Sequence, residues 1–189
     1  MTDGMNIRRR GNGIISSMYF PLFVDLGGRP CLVVGSGAVA SRKAAQLAAF
    51  GADVRVVSPE ASGRGFEDAD ADGMALVVAA TDDPSVNARV AAACRARSIP
   101  VNVVDDPANC TFVFPAIFAK DPVVVAVSTG GASPVAARVI RDRVARAVPD
   151  ALAAKVAELG ARRAELKRAV PDAAERRRLC EKELEEWKD

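Results

Sequence analysis

The stretch CLVVGSGAVASRKAAQLAAFGADVRVVSPE, residues 31–60, decides the fold. Four apolar residues, Cys31 to Val34, run directly into a Gly-Ser-Gly turn. A helical segment follows, in which Ala38, Ala45, Leu47, Ala48 and Phe50 fill much of one face, and Gly51 closes it. DVRVV then reads as a second strand that stops at Pro59. Strand, glycine turn, helix and strand make a βαβ unit, whose two strands lie parallel in one sheet. GSGAVA fits the dinucleotide fingerprint, with Ala40 in the third glycine position. Gly35 permits the tight turn and Gly37 lets a pyrophosphate approach the backbone beside Ser36. Ala40 allows close helix–strand packing, and the phosphate charge faces the helix N-terminal amides. The other reading of these six residues is a glycine-rich turn with no ligand.

The pattern continues on both sides. Upstream, the apolar run Phe23 to Leu26 is set off by the turn GGRP. Downstream, MALVVAATDD (74–83) is a buried strand and PSVNARVAAACRARS is a helix with Pro84 at its first position. IPVNVVDD is a fourth strand. After Phe114 the alternation ends, and two further strands are expected near 111–119 and 122–128, split by the KDP turn. Ser133 and Pro134 start a helix, with Ser133 as its cap. Val135, Val139, Ile140, Val144 and Val148 give it an apolar stripe, while Arg138, Asp142 and Arg146 form a charged face with i,i+4 pairing. From Asp150 the chain is rich in Ala, Glu and Arg and broken at Pro171, as two or more helices would be. The expected fold is α/β. A Rossmann-like parallel sheet domain (18–113) is followed by a small α+β segment (114–149) and a helical domain (150–189). Residues 1–17 are expected to form a disordered tail.

Composition narrows the chemistry. The 189 residues carry 26 basic and 24 acidic side chains, and the positive excess lies from Gly131 onward. So mild a bias argues against nucleic-acid binding and suits an anionic small molecule. No apolar run reaches the ~18 residues a membrane helix requires, and the N-terminal arginine cluster is not followed by a signal-peptide core. Four scattered cysteines with no CxxC pair read as free thiols in a reducing, cytoplasmic compartment, and no metal site is expected. The chain contains no histidine, so proton transfer falls to Asp, Glu, Lys, Tyr or Cys.

Acids stand where such a site would need them. Thr81, Asp82 and Asp83 close the third strand, and Asp105 and Asp106 close the fourth. The carboxyl ends of parallel strands define the crevice in which ligands bind. As a rival reading, each acid caps a loop or a helix; the missing histidine favours a carboxylate base. The acid expected on the cofactor ribose at the end of the second strand is replaced by Ser58, and Glu60 stands in for it. With no basic cluster there, NAD is favoured over NADP. STGGASP gathers hydroxyls, two glycines and a helix start, a turn able to cradle an anion. The arginines at 162, 163, 168 and 176–178 are read as solvated helix faces.

In this order and spacing, FPLFVDLGGRPCLVVGSGAVASRKA, AATDDPSVNARV, VNVVDDP, VAVSTGGASPVAARVIRD and ERRRLCEKE resemble the precorrin-2 dehydrogenase/sirohydrochlorin ferrochelatase module of the siroheme synthase family, over nearly the whole chain from Tyr19. The resemblance implies a homodimer that oxidises precorrin-2 to sirohydrochlorin with NAD. Some members then insert ferrous iron, a further substrate, to give siroheme. It implies that Asp105 is the base and that Asp106 falls on a variable position. NAD contacts fall on Ala38, Val39, Pro59 and Glu60, in addition to Gly35, Ser36, Gly37, Ser58, Thr81 and Asp82 from the strand ends. For a substrate with eight carboxylates, Thr129, Gly130, Gly131, Ser133 and Arg138 become anion contacts, with Arg141 and the ERRR stretch as further candidates. Thr129 falls where some relatives carry a phosphorylated serine. The larger members' methyltransferase domain is expected on another protein. Against this enzyme stand a non-catalytic NAD-binding regulatory module, which would not depend on Asp105, and a dimeric scaffold, which would not bind NAD.

Overall fold

The computed structural model describes residues 19–185, so the tail expected at 1–17 lies outside the described residues. They form two compact units that meet in sequence between Phe114 and Pro115. The boundaries expected from the sequence are 113/114 and 149/150. From Pro115 on, Lys120 joins the elements into one unit by donating to the carbonyl of Val148 (3.0 Å) and pairing with Asp150 (2.7 Å).

In the first unit, β1 (Pro30–Val34), β2 (Asp53–Val57), β3 (Leu76–Ala79) and β4 (Val101–Val103) form one parallel sheet in the order β2-β1-β3-β4. The near-continuous apolar runs of β1, β3 and β4 mark strands buried on both faces. Alternation assigns the faces. Leu32, Val34, Val77, Ala79, Val101 and Val103 pack with Val90, Ala91 and Cys94 of α3 (Pro84–Ala96). Cys31, Val33, Leu76 and Val78 pack with Ala40 and Leu47 of α1 (Ala38–Ala49). Helices thus cover both faces of a Rossmann-like sheet.

Several local expectations shift. The packed face of α1 is Ala40, Lys43, Ala44 and Leu47, in the i, i+3, i+4, i+7 pattern, while Ala45 and Ala48 are exposed. β3 ends at Ala79; Ala80 still donates to the Val34 carbonyl, and residues 81–83 then lead into α3, which Asp83 caps. Residues 111–114 do not begin a strand. Thr111 instead folds back on β4, donating N–H to the Val101 carbonyl (2.8 Å) and accepting the Val101 N–H at its hydroxyl (2.8 Å). The return covers an edge that would otherwise be open.

In the second unit, β5 (Ala116–Lys120) and β6 (Val123–Val127) form an antiparallel hairpin. α4 (Pro134–Arg146) is capped by Ser133, whose hydroxyl accepts the Ala136 N–H (3.1 Å). The apolar stripe read for α4 is split. Ala137 is buried and Val144 and Val148 are half-buried, whereas Val135, Val139 and Ile140 are exposed. The i,i+4 pairing is absent too: Asp142 accepts from its neighbour Arg141, which reaches it at 2.6 Å. α5 (Asp150–Ala169) and α6 (Ala173–Glu183) flank Pro171. Among the described residues no helix is long and apolar enough to cross a membrane.

The link from β2 to β3 is pinned by one buried acid. Asp70, only 4% exposed, accepts from Arg55 on β2 (2.8 Å), from both Arg64 nitrogens (2.7 and 2.8 Å) and from the Glu67 N–H (2.9 Å). The Arg64 hydrogen bonds, ahead of the other contacts, lower its pKa to about 2. Because the unfolded carboxyl binds its proton more tightly, this stabilisation is present above about pH 4 and is lost as pH falls through about 2. Asp70→Asn should cost about 2 kcal/mol at pH 7. Urea unfolding of both proteins should show that difference shrinking from pH 4 towards pH 2.

Candidate functional site

From β1 the strand order runs to β2 on one side and to β3 and β4 on the other, so the sheet reverses between β1 and β3. At that point Gly35 leaves β1 with φ +123°, and a Cβ there would overlap the Ala80 carbonyl at the end of β3. Gly35 is therefore required by the fold itself. Gly37 is not: its φ is −67° and a Cβ would meet nothing within 4 Å. Neither backbone strain nor packing explains this glycine, but an open approach to the α1 N-terminus does. Gly37 is also the N-cap of α1 and has no side chain, so the Ala38 and Val39 amides carry no side-chain cap. An uncapped helix start with a clear approach suits the pyrophosphate of a dinucleotide, which would bring the redox chemistry of its nicotinamide.

The end of β2 supplies the neighbouring wall. Ser58 caps the short helix α2 (Pro59–Ser62), accepting the Ala61 N–H (3.0 Å), with Pro59 at the first position. The serine in the usual ribose-acid place thus serves the backbone. Glu60 instead reaches the glycine turn, where its carboxylate accepts the Ser36 hydroxyl (2.7 Å); that bond lowers the Glu60 pKa.

On the other side, the two acid pairs divide in the same way. Asp83 is the N-cap of α3, accepting from the Ser85 N–H (2.8 Å) and hydroxyl (2.7 Å), and these bonds lower its pKa. Asp106 is the N-cap of a 3-10 turn at Pro107–Asn109, and its carboxylate accepts from the Asn109 side chain. The first member of each pair is left over. Asp82 and Asp105 are exposed and have no hydrogen-bond or ion-pair partner among the described residues. Asp105 has φ +59°, in the left-handed region that L-residues other than Asn and Asp seldom enter. Thr81, between β3 and these acids, is held by Asn87: the threonine hydroxyl donates to Asn87 Oδ1 (2.8 Å), and Asn87 Nδ2 donates to the Thr81 carbonyl (2.9 Å).

The second unit holds its own cluster. Gly130 and Gly131 are both left-handed, at φ +63° and +89°. The Thr129 hydroxyl accepts the Ser133 N–H (3.1 Å) and donates to the Ser133 carbonyl (3.0 Å), while Ser133 caps α4. Both hydroxyls are thus engaged in shaping the turn. Arg138 is exposed on α4 without a partner among the described residues. Farther on, Arg162 pairs with Glu183 (2.9 Å), Arg177 pairs with Glu181 (2.7 Å), and Arg176 donates to the carbonyls of Val170 and Pro171.

A family model described as putative NAD(P)-binding matches residues 22–116, which include every element of the carboxyl-edge site. The chain belongs to this NAD(P)-binding family. A second model, described as sirohaem biosynthesis protein central, matches residues 121–147 and takes in STGGASP and Arg138. The chain is 48% identical over 179 residues to a siroheme synthase of Pseudomonas entomophila, covering 86% of this chain and 38% of that protein. It is 44% identical over 182 residues to one of Thioalkalivibrio sulfidiphilus, covering 88% of this chain and 37% of that one. The chain therefore spans under two-fifths of the length of these curated relatives. A solved structure titled SirC, precorrin-2 dehydrogenase, shares the fold, with a TM-score of 0.66 at 24% identity over 87% of this chain and 88% of that one.

Within this NAD(P)-binding unit, three residues lie beyond the sequence reading. Asn87 is buried at the second turn of α3, where polarity on a helix face was the available signal. Lys43 sits on the packed face of α1 with Nζ 3.6 Å from the Phe114 ring centroid, and burial lowers its pKa to about 8. Its spacing from Ala40 and Leu47 was legible, but its ring partner was not. Cys110 bonds around the Asp105 turn, and a cysteine gives no such signal in sequence.

The two glycines separate fold from binding. Gly37→Ala should melt within a degree or so of wild type, because a methyl meets nothing there, yet weaken NAD about tenfold by calorimetry. Gly35→Ala should lose at least about 2 kcal/mol of stability.

Proposed function

We propose that this protein oxidises precorrin-2 to sirohydrochlorin with NAD, as a step of siroheme biosynthesis. It would act in the cytoplasm as a homodimer built through the segment 114–149. The observation that carries this reading is the exposed Asp105 carboxylate, without a partner among the described residues and held in a left-handed turn at the end of β4. β4 is two strands from the glycine turn of β1, about 10 Å along the sheet edge. One site can therefore hold the phosphates at Gly35, Ser36, Gly37, Ala38 and Val39 and present a base at the other end. The family match and the siroheme synthase relatives support the same assignment.

Each group has a role in that arrangement. The amides of Ala38 and Val39 hold the pyrophosphate, and Ser58 and Pro59 fix the bend that brings Glu60 to the ribose hydroxyls. A carboxylate there repels a 2′-phosphate, which selects NAD over NADP. Thr81 and Asp82 rim the crevice. When bound, the nicotinamide accepts a hydride from the substrate. Asp105 takes the proton released as that hydride leaves, giving sirohydrochlorin, NADH and a proton. No histidine is needed, because this carboxylate is exposed and has no partner among the described residues. In the second unit, taken by itself, the Gly131 amide and the exposed Arg138 offer a donor and positive charge to an anion such as a carboxylate, whereas the Gly130 amide donates to the Ser128 hydroxyl (3.2 Å). The same Asp105 carboxylate would accept pyrrole N–H protons during insertion of ferrous iron, which is a substrate and not a resident metal.

The decisive test is anaerobic turnover of precorrin-2 and NAD, followed by NADH and sirohydrochlorin absorbance, with ferrous iron added afterwards. Wild type should turn over, and Asp105→Ala should fall by at least about 100-fold. NAD binding without oxidation would instead make the chain a regulatory NAD-binding module. Normal turnover by Asp105→Ala would reduce Asp105 to a loop residue. Separately, Glu60→Ala should raise the Kd for NAD more than that for NADP, as read by fluorescence titration of the reduced forms.

A further inference from the structure

Asp105 tolerates its left-handed backbone better than most L-residues do, and contacts around the turn hold it there. The enforcing contacts converge on one sulfur. Cys110 Sγ lies 3.2 Å from the Val103 carbonyl and 3.3 Å from the Asp106 carbonyl, so its single S–H is shared between acceptors on either side of Asp105. The same sulfur accepts the Val103 N–H (3.2 Å) and the Asn102 side-chain amide (3.5 Å). Asn102 Nδ2 also donates to the Phe112 carbonyl (3.0 Å), which ties the far end of the returning chain to β4. Val104 N–H donates to the Ala79 carbonyl (2.9 Å) and Asp106 N–H to the Val103 carbonyl (3.3 Å), completing the turn.

From this geometry we infer that Cys110 is a positioning residue for Asp105, its thiol bridging the strand before the acid to the turn after it. The inference rests on the reading of Asp105 as the base. Cys110 itself does not face the reaction, since its donor and acceptor capacity is taken up by backbone and Asn102. Burial raises its pKa above that of an ordinary thiol, so the S–H donor is retained at neutral pH. Losing it would free the Val103–Asp106 segment and let Asp105 relax out of the left-handed region. The carboxylate would then move away from its working position without any change at the glycine turn. Such a displacement lowers kcat and leaves cofactor affinity alone.

The test compares wild type, Cys110→Ala, Cys110→Ser and Asp105→Ala in the full chain, with two readouts. The first is amide hydrogen exchange over residues 103–110; the second is kcat, KM and NAD affinity in the precorrin-2 assay. Cys110→Ala should exchange faster across this segment and lose about tenfold in kcat, with KM and NAD affinity unchanged. Cys110→Ser restores a donor and should recover most of both effects. Unchanged exchange in Cys110→Ala would overturn the bridge. Faster exchange with unchanged kcat would overturn its link to catalysis. If Asp105→Ala itself turns over normally, the base reading falls and takes this inference with it. If Asp105→Ala is inactive while Cys110→Ala behaves as wild type, only the positioning role is lost.

Discussion

Where β1 ends, the Gly35 α-carbon lies so close to the Ala80 carbonyl that no side chain fits between them. This contact at the β1–β3 junction is the constraint on which the rest of the first unit depends. It lets the two central strands finish side by side, Ala80 N–H donating to the Val34 carbonyl and Gly35 N–H to that of Val57. With β2 and β4 added outside them, the carboxyl edge becomes a single line of turns. The glycine turn, Glu60, Thr81 and Asp105 all sit on it because they terminate adjacent strands. The sheet thus sets these turns in a row, and each presents one side chain along the edge.

The repeated Asp-Asp-Pro at the ends of β3 and β4 shows how that presentation works. Proline sits at the first position of a helical turn, where its missing N–H costs nothing. The acid before it is then the N-cap, whose backbone and carboxylate belong to the turn. The acid one residue earlier is left outside both strand and helix. Asp82 and Asp105 are these leftovers, and of the two only Asp105 also adopts the left-handed region. The opposite case is Asp70, a carboxylate buried among arginines, whose depressed pKa reflects structure and not reactivity.

Much of this was legible in the residues alone. Buried runs of Val and Leu, GSGAVA and the Ser133–Pro134 helix start are local signals, and each occurs where its own chemistry calls for it. The split of each acid pair was within reach as well, through the rule that a residue preceding an N1 proline caps its helix. Other features were not, because they depend on contacts distant in sequence. The return of Thr111 onto β4 replaces an expected strand with an edge cover. The outward Val135, Val139 and Ile140 look like core residues in sequence, but Ala137 is the buried residue of α4, with Val144 and Val148 half-buried. The Ser36–Glu60 bond spans 24 residues and brings an acid two positions beyond Ser58 onto the glycine turn.

The central claim is that one sheet edge holds both the cofactor and the base. A crystal structure of the protein with NAD tests it most directly. The account predicts the pyrophosphate on the amides of Ala38 and Val39, the adenosine ribose at Glu60, and the nicotinamide directed across β3 towards Asp105. A nicotinamide directed away from β4, or a pyrophosphate bound away from the glycine turn, would contradict it.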